Sequence, residues 1–270
     1  MSELKDLKLE LRRNNIFLSK KLGQNFLVNQ DIVDNIVKSL GDIDGNNILE
    51  IGPGAGKLTK RLLKTKLSSL VSVEIDKKML TMLNESIEDP RFNLVNADAL
   101  YLNEEEIFKG NFKIVANLPY NISTKLMIKW FKKIQHIDEI VIMLQKEVAD
   151  RVVAENNSSD YSRLSIISQF ICDCEILFDV ESDNFFPEPR ICSSVIKLKP
   201  KHPKKSLFEI NRLEKACKII FNFRRKKIGT ILKKVMEDPE IKLKDIGISI
   251  NKRPEQLTID EIYKISCIIE

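Results

Sequence analysis

The sequence predicts an α/β protein, a Rossmann-like sheet domain followed by a small all-helical C-terminal domain, and three observations support this. Apolar strand patterns and amphipathic helix patterns alternate repeatedly within residues 46–145, as in parallel sheets with helices on both faces. A glycine-rich turn follows the first of these strands. Beyond residue 200 only helical spacing of apolar residues remains.

Hydrophobic periodicity assigns the elements in chain order. Residues 31–40 place their apolar side chains on one helical stripe, and the run at 48–51 indicates a buried strand. Further strands are expected at 68–76, 92–100, 112–120 and 138–145, with helices at 58–63, 77–87, 123–134 and 161–171. Two later β-rich stretches, at 174–180 and 193–199, are expected to form an antiparallel edge of the same sheet.

The domain boundary is expected at the connector KPKHPKK near residue 200. We therefore assign residues 20–200 to the Rossmann-like domain and residues 201–270 to the helical domain. Residues 1–19 carry charges of both signs and lack the apolar segment of a secretory signal. They are expected to form either a short helix or a mobile tail outside these domains.

Composition excludes several classes of protein. No apolar run approaches the roughly 20 residues that a membrane-spanning helix needs, so no membrane partner is expected. The five cysteines include no C-x-x-C pair and there are only two histidines, so no metal site is expected either. An odd number of cysteines without a signal peptide fits the reducing cytoplasm.

Positive charge is concentrated in one stretch of the chain. Residues 197–234 contain 14 Lys and Arg against two Glu, although the whole chain has a net charge of only +5. This separation favours a polyanion partner, although lysine-rich helix faces are often merely solvated. The densest cationic group would hold phosphates without reading their sequence; it consists of Arg224, Arg225, Lys226 and Lys227.

The turn Glu50-Ile-Gly-Pro-Gly-Ala-Gly56 predicts a cofactor site. Gly52 and Gly54 would let the backbone approach a ligand where a Cβ would collide. Pro53 lacks the N–H that a pyrophosphate would use, and Glu50 disfavours a phosphate. These features favour S-adenosylmethionine over a dinucleotide. Glu50 could order the loop or accept from the cofactor's ammonium group; a plain structural turn is the alternative.

Two carboxylates are expected beside this loop. Glu74 closes the second strand, where an acidic side chain accepts hydrogen bonds from ribose hydroxyls. The alternative for Glu74 is a solvated acid at a strand end, like Asp76. Asp98 follows the third strand, and the ligand crevice of an open α/β sheet lies at such carboxyl ends. Asp98 could accept from the amino group of the cofactor adenine or cap the following turn.

The segment Asn117-Leu118-Pro119-Tyr120 after the fourth strand carries the most specific signal. An adenine amine is a weak nucleophile because its lone pair is delocalised into the ring. The Asn117 amide oxygen and the Leu118 carbonyl could accept its two N–H bonds and free that lone pair for a methyl carbon. Pro119 would fix the turn, and Tyr120 could stack on a flipped base. After a cofactor loop, this segment predicts methyl transfer to adenine N6 rather than a plain turn.

The order and spacing of these motifs resemble the ribosomal RNA adenine N6,N6-dimethyltransferases, from about Lys20 to the C-terminus. EIGPGAG, VEID, NADAL and NLPYNIST follow in the family's order. KKLGQNFLVNQ is similar to the family's N-terminal motif, which implies that Asn25 and Leu27 contribute to the cofactor pocket and that Gln24 lies near it. The resemblance also implies cofactor contacts from Gly52, Glu74, Asp98 and Asn117.

Two later segments indicate which branch of the family the chain resembles. NFFPEPRICSSVIKL is similar to the family's F-x-P-x-P-K-V-D-S-A-V-x-L, which implies that Phe185 is a second stacking platform for the base. Arg190 stands where lysine is usual and keeps the charge. Cys192 stands where aspartate is usual, which puts in doubt any role assigned to that position. FNFRRKKIGTIL and the final helices favour the small-subunit branch over the macrolide-resistance enzymes of the large subunit.

This resemblance implies two methyl transfers to each of two adjacent adenosines in a hairpin near the 3′ end of small-subunit rRNA. The substrate would be an immature small subunit, bound by a monomer. The alternatives are a large-subunit rRNA methyltransferase, a DNA adenine methyltransferase, and a non-catalytic assembly or transcription factor on the same fold. The short segment beyond the connector disfavours a DNA enzyme, and the intact cofactor motifs disfavour lost catalysis.

Overall fold

The computed structural model describes residues 2–19 and 23–269. Lys20, the first residue of the predicted sheet domain and of the family-like N-terminal motif, lies outside the described residues. The chain divides into two compact units. The first unit comprises the chain up to residue 149 together with 175–199, and the second comprises 150–174 together with the chain from residue 200 onward.

The strands and helices are numbered here in chain order. The described strands are β1 (Phe26–Leu27), β2 (Asn47–Ile51), β3 (Ser69–Glu74), β4 (Phe92–Asn96), β5 (Phe112–Asn117), β6 (Ile137–Gln145), β7 (Cys172–Val180), β8 (Phe185–Phe186) and β9 (Ser193–Pro200). The described α-helices are α1 (Ser2–Arg13), α2 (Gln30–Ser39), α3 (Lys57–Leu62), α4 (Lys77–Ser86), α5 (Ser123–Lys132), α6 (Lys146–Val153), α7 (Arg163–Ile171), α8 (Leu207–Phe221), α9 (Ile228–Leu232), α10 (Pro239–Asp245) and α11 (Ile259–Ile268).

The large sheet has the strand order β4-β3-β2-β5-β6-β9-β7. Strands β2 to β6 pair in parallel, and β9 pairs antiparallel to β6. The chain runs outward from β2 to β4, then returns to place β5 on the other side of β2. A ligand crevice forms where the order reverses in this way, at the carboxyl ends of the strands. The loops after β2 and β5 therefore meet at the expected binding site.

The core of this unit joins the central strands to the helices on the sheet. Helix α2 begins at its cap Asn29, whose side chain accepts from the Asp31 N–H, and it buries Val33, Ile36 and Val37. Strand β2 buries four of its five residues. Such continuous burial is typical of a parallel strand covered on both faces. The predicted fold class is confirmed.

A second, two-stranded sheet was not predicted from the sequence. Strand β1 pairs antiparallel with β8, with Phe26 opposite Phe186 and Leu27 opposite Phe185. The two strands have two residues each, so neither carries a periodic signal that sequence analysis can detect. Their pairing links the N-terminal motif to the F-x-P-x-P segment, and so brings two distant motifs to one edge of the first unit.

The second unit differs from the predicted helical domain. It includes the chain from residue 200 onward together with residues 150–174, which the sequence assigned to the sheet domain. Helix α7 packs against α8 and α11, and the buried Tyr161 hydroxyl donates to the Leu257 carbonyl at 3.0 Å. Helical periodicity shows that this segment has an apolar face, but it does not show which core that face joins.

The N-terminal segment forms a helix, one of the two outcomes left open above. Residues Ser2–Arg13 are α-helical. Leu11 and Ile16 are buried in a cluster with Phe26, Met79 and Met82. The described part of this segment therefore belongs to the first unit rather than to a separate tail.

No helix in the described part of the chain is long and apolar enough to cross a membrane. Over the same residues, no group of three or more His, Cys, Asp or Glu side chains is arranged to hold a metal ion.

Candidate functional site

A cavity of about 270 Å³ lies in the first unit, along the carboxyl ends of the central strands. All of the residues predicted to bind a cofactor line it, namely Asn25, Leu27, Glu50, Gly52, Gly54, Glu74, Asp98 and Asn117. Gln24 lines it too. Five separate segments supply these residues. Four lie at the ends of β2, β3, β4 and β5, which the parallel sheet brings together because these strands end at one edge, and the fifth is the N-terminal motif.

The glycine-rich loop occupies backbone conformations that other residues rarely adopt. Gly52 has φ of +70° and Gly54 has φ of +55°. A Cβ on Gly54 would lie 2.8 Å from two ring carbons of Phe26, a residue of β1. Glycine at position 54 is therefore required both for the turn and for the close approach of the N-terminal motif to this loop.

Glu50 is 1% exposed at the base of this loop. Its Oε2 accepts from the Thr59 hydroxyl at 2.7 Å and from the Ser72 hydroxyl at 2.5 Å. Its Oε1 is buried and has no hydrogen-bond partner among the described residues. Burial raises the pKa of Glu50 to about 7, against the lowering effect of the two hydroxyls. One oxygen of this carboxyl group joins the end of β2 to α3 and β3, and the other is left as an unused acceptor.

Glu74 is also largely buried, at 8% exposure. Its Oε1 accepts from the N–H groups of Ile75 and Asp76, both at 2.8 Å, and its Oε2 accepts from the Gly54 N–H at 3.4 Å. Burial raises the pKa of Glu74 despite these backbone hydrogen bonds. The carboxylate is therefore fixed in position beside the cavity, and its long bond to Gly54 leaves Oε2 able to accept further donors.

Asp98 combines the two roles that the sequence left as alternatives. Its Oδ1 accepts from the Leu100 N–H at 2.9 Å, which caps the turn after β4. The same side chain lines the cavity. A carboxylate has about four acceptor positions, so capping leaves Asp98 able to accept from a ligand.

Asn117 ends β5 at the cavity. Its Nδ2 donates to the carbonyl of Asn25 at 3.2 Å, so the amide nitrogen is occupied and Oδ1 remains as an acceptor. The Leu118 N–H donates to the Met143 carbonyl of β6 at 3.3 Å, and the Ile122 N–H donates to the Pro119 carbonyl at 3.2 Å. The sheet and α5 therefore hold the backbone of the Asn-Leu-Pro-Tyr segment in one conformation.

The other predicted catalytic residues occupy different environments. Pro119 lines the cavity, and Leu118 has a side chain buried at 2% exposure. Tyr120 is half-buried, and its hydroxyl makes a 2.9 Å hydrogen bond with the Ser193 hydroxyl. Phe185 lies in the core cluster with Ile36, is 5% exposed and is not among the residues lining the cavity. The pairing of β8 with β1 turns Phe185 inward, so its ring does not form a stacking surface here.

Several cavity residues were not singled out from the sequence, among them Ile75 and Lys57. Ile75 is 49% exposed and lines the cavity directly after Glu74. An exposed branched apolar residue between two acids is a signal that could have identified it. Lys57 also lines the cavity, and its ammonium contacts the Val28 carbonyl and the Glu3 carboxylate of α1. Nothing in the local sequence of Lys57 separates it from other lysines at a helix start.

Cys192 stands where the family usually has an aspartate, and two nearby carboxylates partly take the place of that acid. The Cys192 thiol donates to the Glu181 carboxylate at 3.0 Å. The next residues, Ser193 and Ser194, are fully buried, and Ser194 donates to the Asp179 carboxylate at 2.6 Å. Two carboxylates from the end of β7 and its following loop therefore lie against this segment, where the family's usual motif has an acid of its own.

The four predicted RNA-binding cations, in the second unit, are not equivalent. Arg224 is half-buried, donates to the Ser158 carbonyl at 3.1 Å and lies 4.0 Å from the Glu255 carboxylate. Arg225, Lys226 and Lys227 are exposed, and Lys227 donates to the Asn251 side chain at 2.9 Å. Arg224 thus holds parts of its own unit together, and Arg225 and Lys226 are the cations best placed for phosphate.

This chain is similar to one protein family and to named relatives along nearly its whole length. The profile of the family described as ribosomal RNA adenine dimethylase matches residues 17–270. A protein of Wolbachia from Brugia malayi, named ribosomal RNA small subunit methyltransferase A, is 41% identical and covers 90% of this chain and 94% of its own length. A protein of the same name from Pelagibacter ubique is 37% identical, over 91% and 94%.

Two solved structures share the fold. A dimethyladenosine transferase from Plasmodium falciparum superposes with a TM-score of 0.78 at 24% identity, covering 88% of this chain and 94% of its own. The 23S rRNA methyltransferase ErmE has a TM-score of 0.68 at 22% identity, over 88% and 98%. With the profile match and the relatives above, the chain belongs to the ribosomal RNA adenine dimethylase family, whose members use S-adenosylmethionine to methylate rRNA.

Proposed function

We propose that this enzyme dimethylates N6 of two adjacent adenosines in a hairpin near the 3′ end of small-subunit rRNA. It acts as a monomer on the immature small subunit in the cytoplasm, where subunits assemble. The observation that carries the proposal is Asn117, whose amide nitrogen is held by Asn25 so that its oxygen is free at the cavity. The names of the relatives, at 34–41% identity, support the small subunit as the target.

The residues present fit S-adenosylmethionine, which supplies a methyl group on an electrophilic sulfonium. The unpartnered, buried Oε1 of Glu50 would accept from the ammonium group, since a buried acceptor without a donor is costly. Glu74 would accept from the ribose hydroxyls and Asp98 from the adenine amino group. Ile75 would pack against the adenine ring. Gly52 and Gly54 let the loop backbone lie close to the ligand.

The chemistry at the adenine requires acceptors and positioning. The Asn117 Oδ1 and the Leu118 carbonyl accept the two N–H bonds of the amine, which localises the lone pair on nitrogen. Tyr120 stacks on the base taken out of its helix. No general base is needed, because the amine becomes strongly acidic once it is methylated and loses its proton to water. Rigid positioning of the two reactants supplies much of the remaining acceleration.

The buried Glu50 predicts a pH dependence of cofactor binding. Its unfolded pKa is near 4.5 and its folded pKa about 7, so between these values the folded protein holds a proton that the unfolded chain has lost. Stability of the free protein from this group is therefore present below pH 4.5 and lost as pH rises through 7. The ionised form is the better partner for an ammonium group, so cofactor affinity is expected to rise over the same range.

Isothermal titration with S-adenosylmethionine between pH 5.5 and 8.5 checks this dependence. Glu50→Gln keeps the shape but does not titrate, so its affinity is expected to be weaker at pH 7 and nearly flat below that pH, where the α-ammonium of the ligand stays charged. Thermal unfolding of the two free proteins gives the matching control, since only the wild type loses stability through this group as pH rises. A Gln variant with the full wild-type pH slope would contradict the assignment.

The exposed cations of the second unit predict that the affinity for RNA depends on salt concentration. Replacing Arg225 and Lys226 by alanine is expected to weaken subunit binding and to lower the slope of log K against log salt by about 2, one unit for each lost phosphate contact. The matched control is Lys242/Lys244→Ala, which removes two charges from helix α10 of the same unit. Arg224 stays in place because its loss would disturb the fold. Equal losses of affinity and salt slope in both double variants would show that Arg225 and Lys226 do not make specific phosphate contacts.

A substrate panel tests the proposed function. Methyl transfer from labelled S-adenosylmethionine is measured on undermethylated small subunits, large subunits and a DNA duplex, with Asn117→Ala as control. Label confined to small-subunit rRNA and lost in the control is expected. Label only in the large subunit or in DNA would overturn the target, and absence of label with cofactor-binding protein would overturn the assigned activity.

A further inference from the structure

Tyr120 is held at both ends, at its backbone and at its hydroxyl. Its carbonyl accepts from the Ser123 hydroxyl at 3.1 Å at the start of α5. Its hydroxyl is hydrogen-bonded to Ser193 at 2.9 Å, a residue 73 positions away in the chain. Pro119 and Asn121 on either side line the cavity, so Tyr120 lies at its edge. A phenol fixed by its backbone and its oxygen has its ring plane set by these two contacts.

Ser193 is suited to fix that oxygen because it belongs to the sheet. It begins β9 and pairs with Gln145 at the end of β6. Its side chain is fully buried, so its hydroxyl has no access to bulk water and depends on a protein partner. A serine in a strand of a seven-stranded sheet moves much less than a loop residue would.

We infer that Ser193 is a positioning residue for methyl transfer, acting through its hydrogen bond to set the ring of Tyr120 against the target adenine. This rests on the proposed function, in which Tyr120 stacks on the base. Ser193 itself does not line the cofactor cavity. Its loss should therefore lower kcat on RNA without changing cofactor affinity.

The adjacent Ser194 provides a matched control. It is equally buried, on the same strand, and its hydroxyl also makes one hydrogen bond, but to Asp179 rather than to Tyr120. Successive residues of a strand face opposite sides of the sheet, which explains the different partners. Ser194→Ala therefore removes a buried hydroxyl and its hydrogen bond from the same strand and leaves Tyr120 in place.

A double-mutant cycle with Tyr120→Phe tests the coupling. Phe keeps the ring and removes only the hydroxyl, so Ser193→Ala and Tyr120→Phe should each lower kcat by about 5- to 10-fold, the worth of one buried hydrogen bond. The double variant should be no slower than either single variant. Ser194→Ala should lower the melting temperature but keep kcat within about twofold. Multiplying effects in the double variant, or an equal kcat loss in Ser194→Ala, would overturn the inference.

A spectroscopic measurement separates this inference from the proposed function. Protein labelled with 3-fluorotyrosine should give signals for its four tyrosines, and the Tyr120 signal is the one missing in Tyr120→Phe. In Ser193→Ala that signal should shift, and in Ser194→Ala it should not. An unshifted Tyr120 signal in Ser193→Ala would refute the hydrogen bond. If the Tyr120 signal shifts in Ser193→Ala but the wild-type protein does not methylate small subunits, the proposed function is refuted and the Tyr120–Ser193 hydrogen bond stands.

Discussion

Replacing Asn117 by alanine is expected to lower kcat on small-subunit rRNA by about 10²- to 10³-fold, the cost typical of removing one preorganised hydrogen-bonding group from a reacting centre. Asn117 supplies an acceptor for the amine, and the adjacent Leu118 carbonyl alone does not hold both N–H bonds. Cofactor affinity is expected to fall by no more than about 10-fold, because the lost bond to Asn25 is a neutral one. Single-turnover kinetics and calorimetry separate the two effects.

Asn96 offers the control for this variant. It ends β4 as Asn117 ends β5, and its amide donates to the Glu74 carbonyl at 2.9 Å, but it is not among the residues lining the cavity. Asn96→Ala therefore removes the same side chain from the end of another strand of the same sheet. The assignment of Asn117 fails if Asn96→Ala loses kcat to the same extent, or if Asn117→Ala loses only cofactor affinity.

Glu74→Ala is expected to weaken S-adenosylmethionine binding by roughly 100-fold, since two charge-assisted hydrogen bonds to ribose contribute about 1.5 kcal/mol each. The variant also leaves the N–H groups of Gly54, Ile75 and Asp76 without their acceptor. The glycine-rich loop should loosen as a result, and the melting temperature should fall even without ligand.

Asp76→Ala is the control for Glu74→Ala, because it separates a loss of cofactor affinity from a loss of stability. Asp76 caps α4 through the Lys78 N–H and accepts from Gln24, so its loss should cost about 1 kcal/mol of stability. Its side chain is not among those lining the cavity, and cofactor affinity should stay within about threefold. Calorimetry and thermal unfolding of both variants check this contrast. Equal losses of affinity would mean that Glu74 acts only through the fold.

The sequence predicts the main sheet, and the residues that meet in one cavity at its edge, for a physical reason. Buried parallel strands such as β2 and β5 are short apolar runs, and their loops begin where the apolar run stops. Parallel strands end at one edge, so Glu50 and Asn117 were expected to meet although 66 residues of chain separate them. That expectation depends only on where the strand order of an α/β sheet reverses, because the ligand crevice forms at that point.

The features that the sequence did not predict depend on packing between distant segments. The β1–β8 pair has two residues on each strand and so no periodicity, yet it decides that Phe185 points into the core. Arg224 belongs to a run of four cations with identical local character, and only its bonds to Ser158 and Glu255 set it apart. The assignment of residues 150–174 to the sheet domain was wrong for a similar reason. An apolar helix face shows that the helix packs against a core, but it does not show which core.

In the proposed mechanism, Asn117 and its loop present adenine N6 to a methyl donor bound in the cavity at the carboxyl ends of β2 to β5. Mass spectrometry of nucleosides and nuclease fragments from small-subunit rRNA, after reaction with wild-type protein and S-adenosylmethionine, tests it most directly. We expect N6,N6-dimethyladenosine at two adjacent positions of the 3′ hairpin, and none with Asn117→Ala. Methylation at a ring nitrogen, a ribose oxygen or a base other than adenine would contradict it.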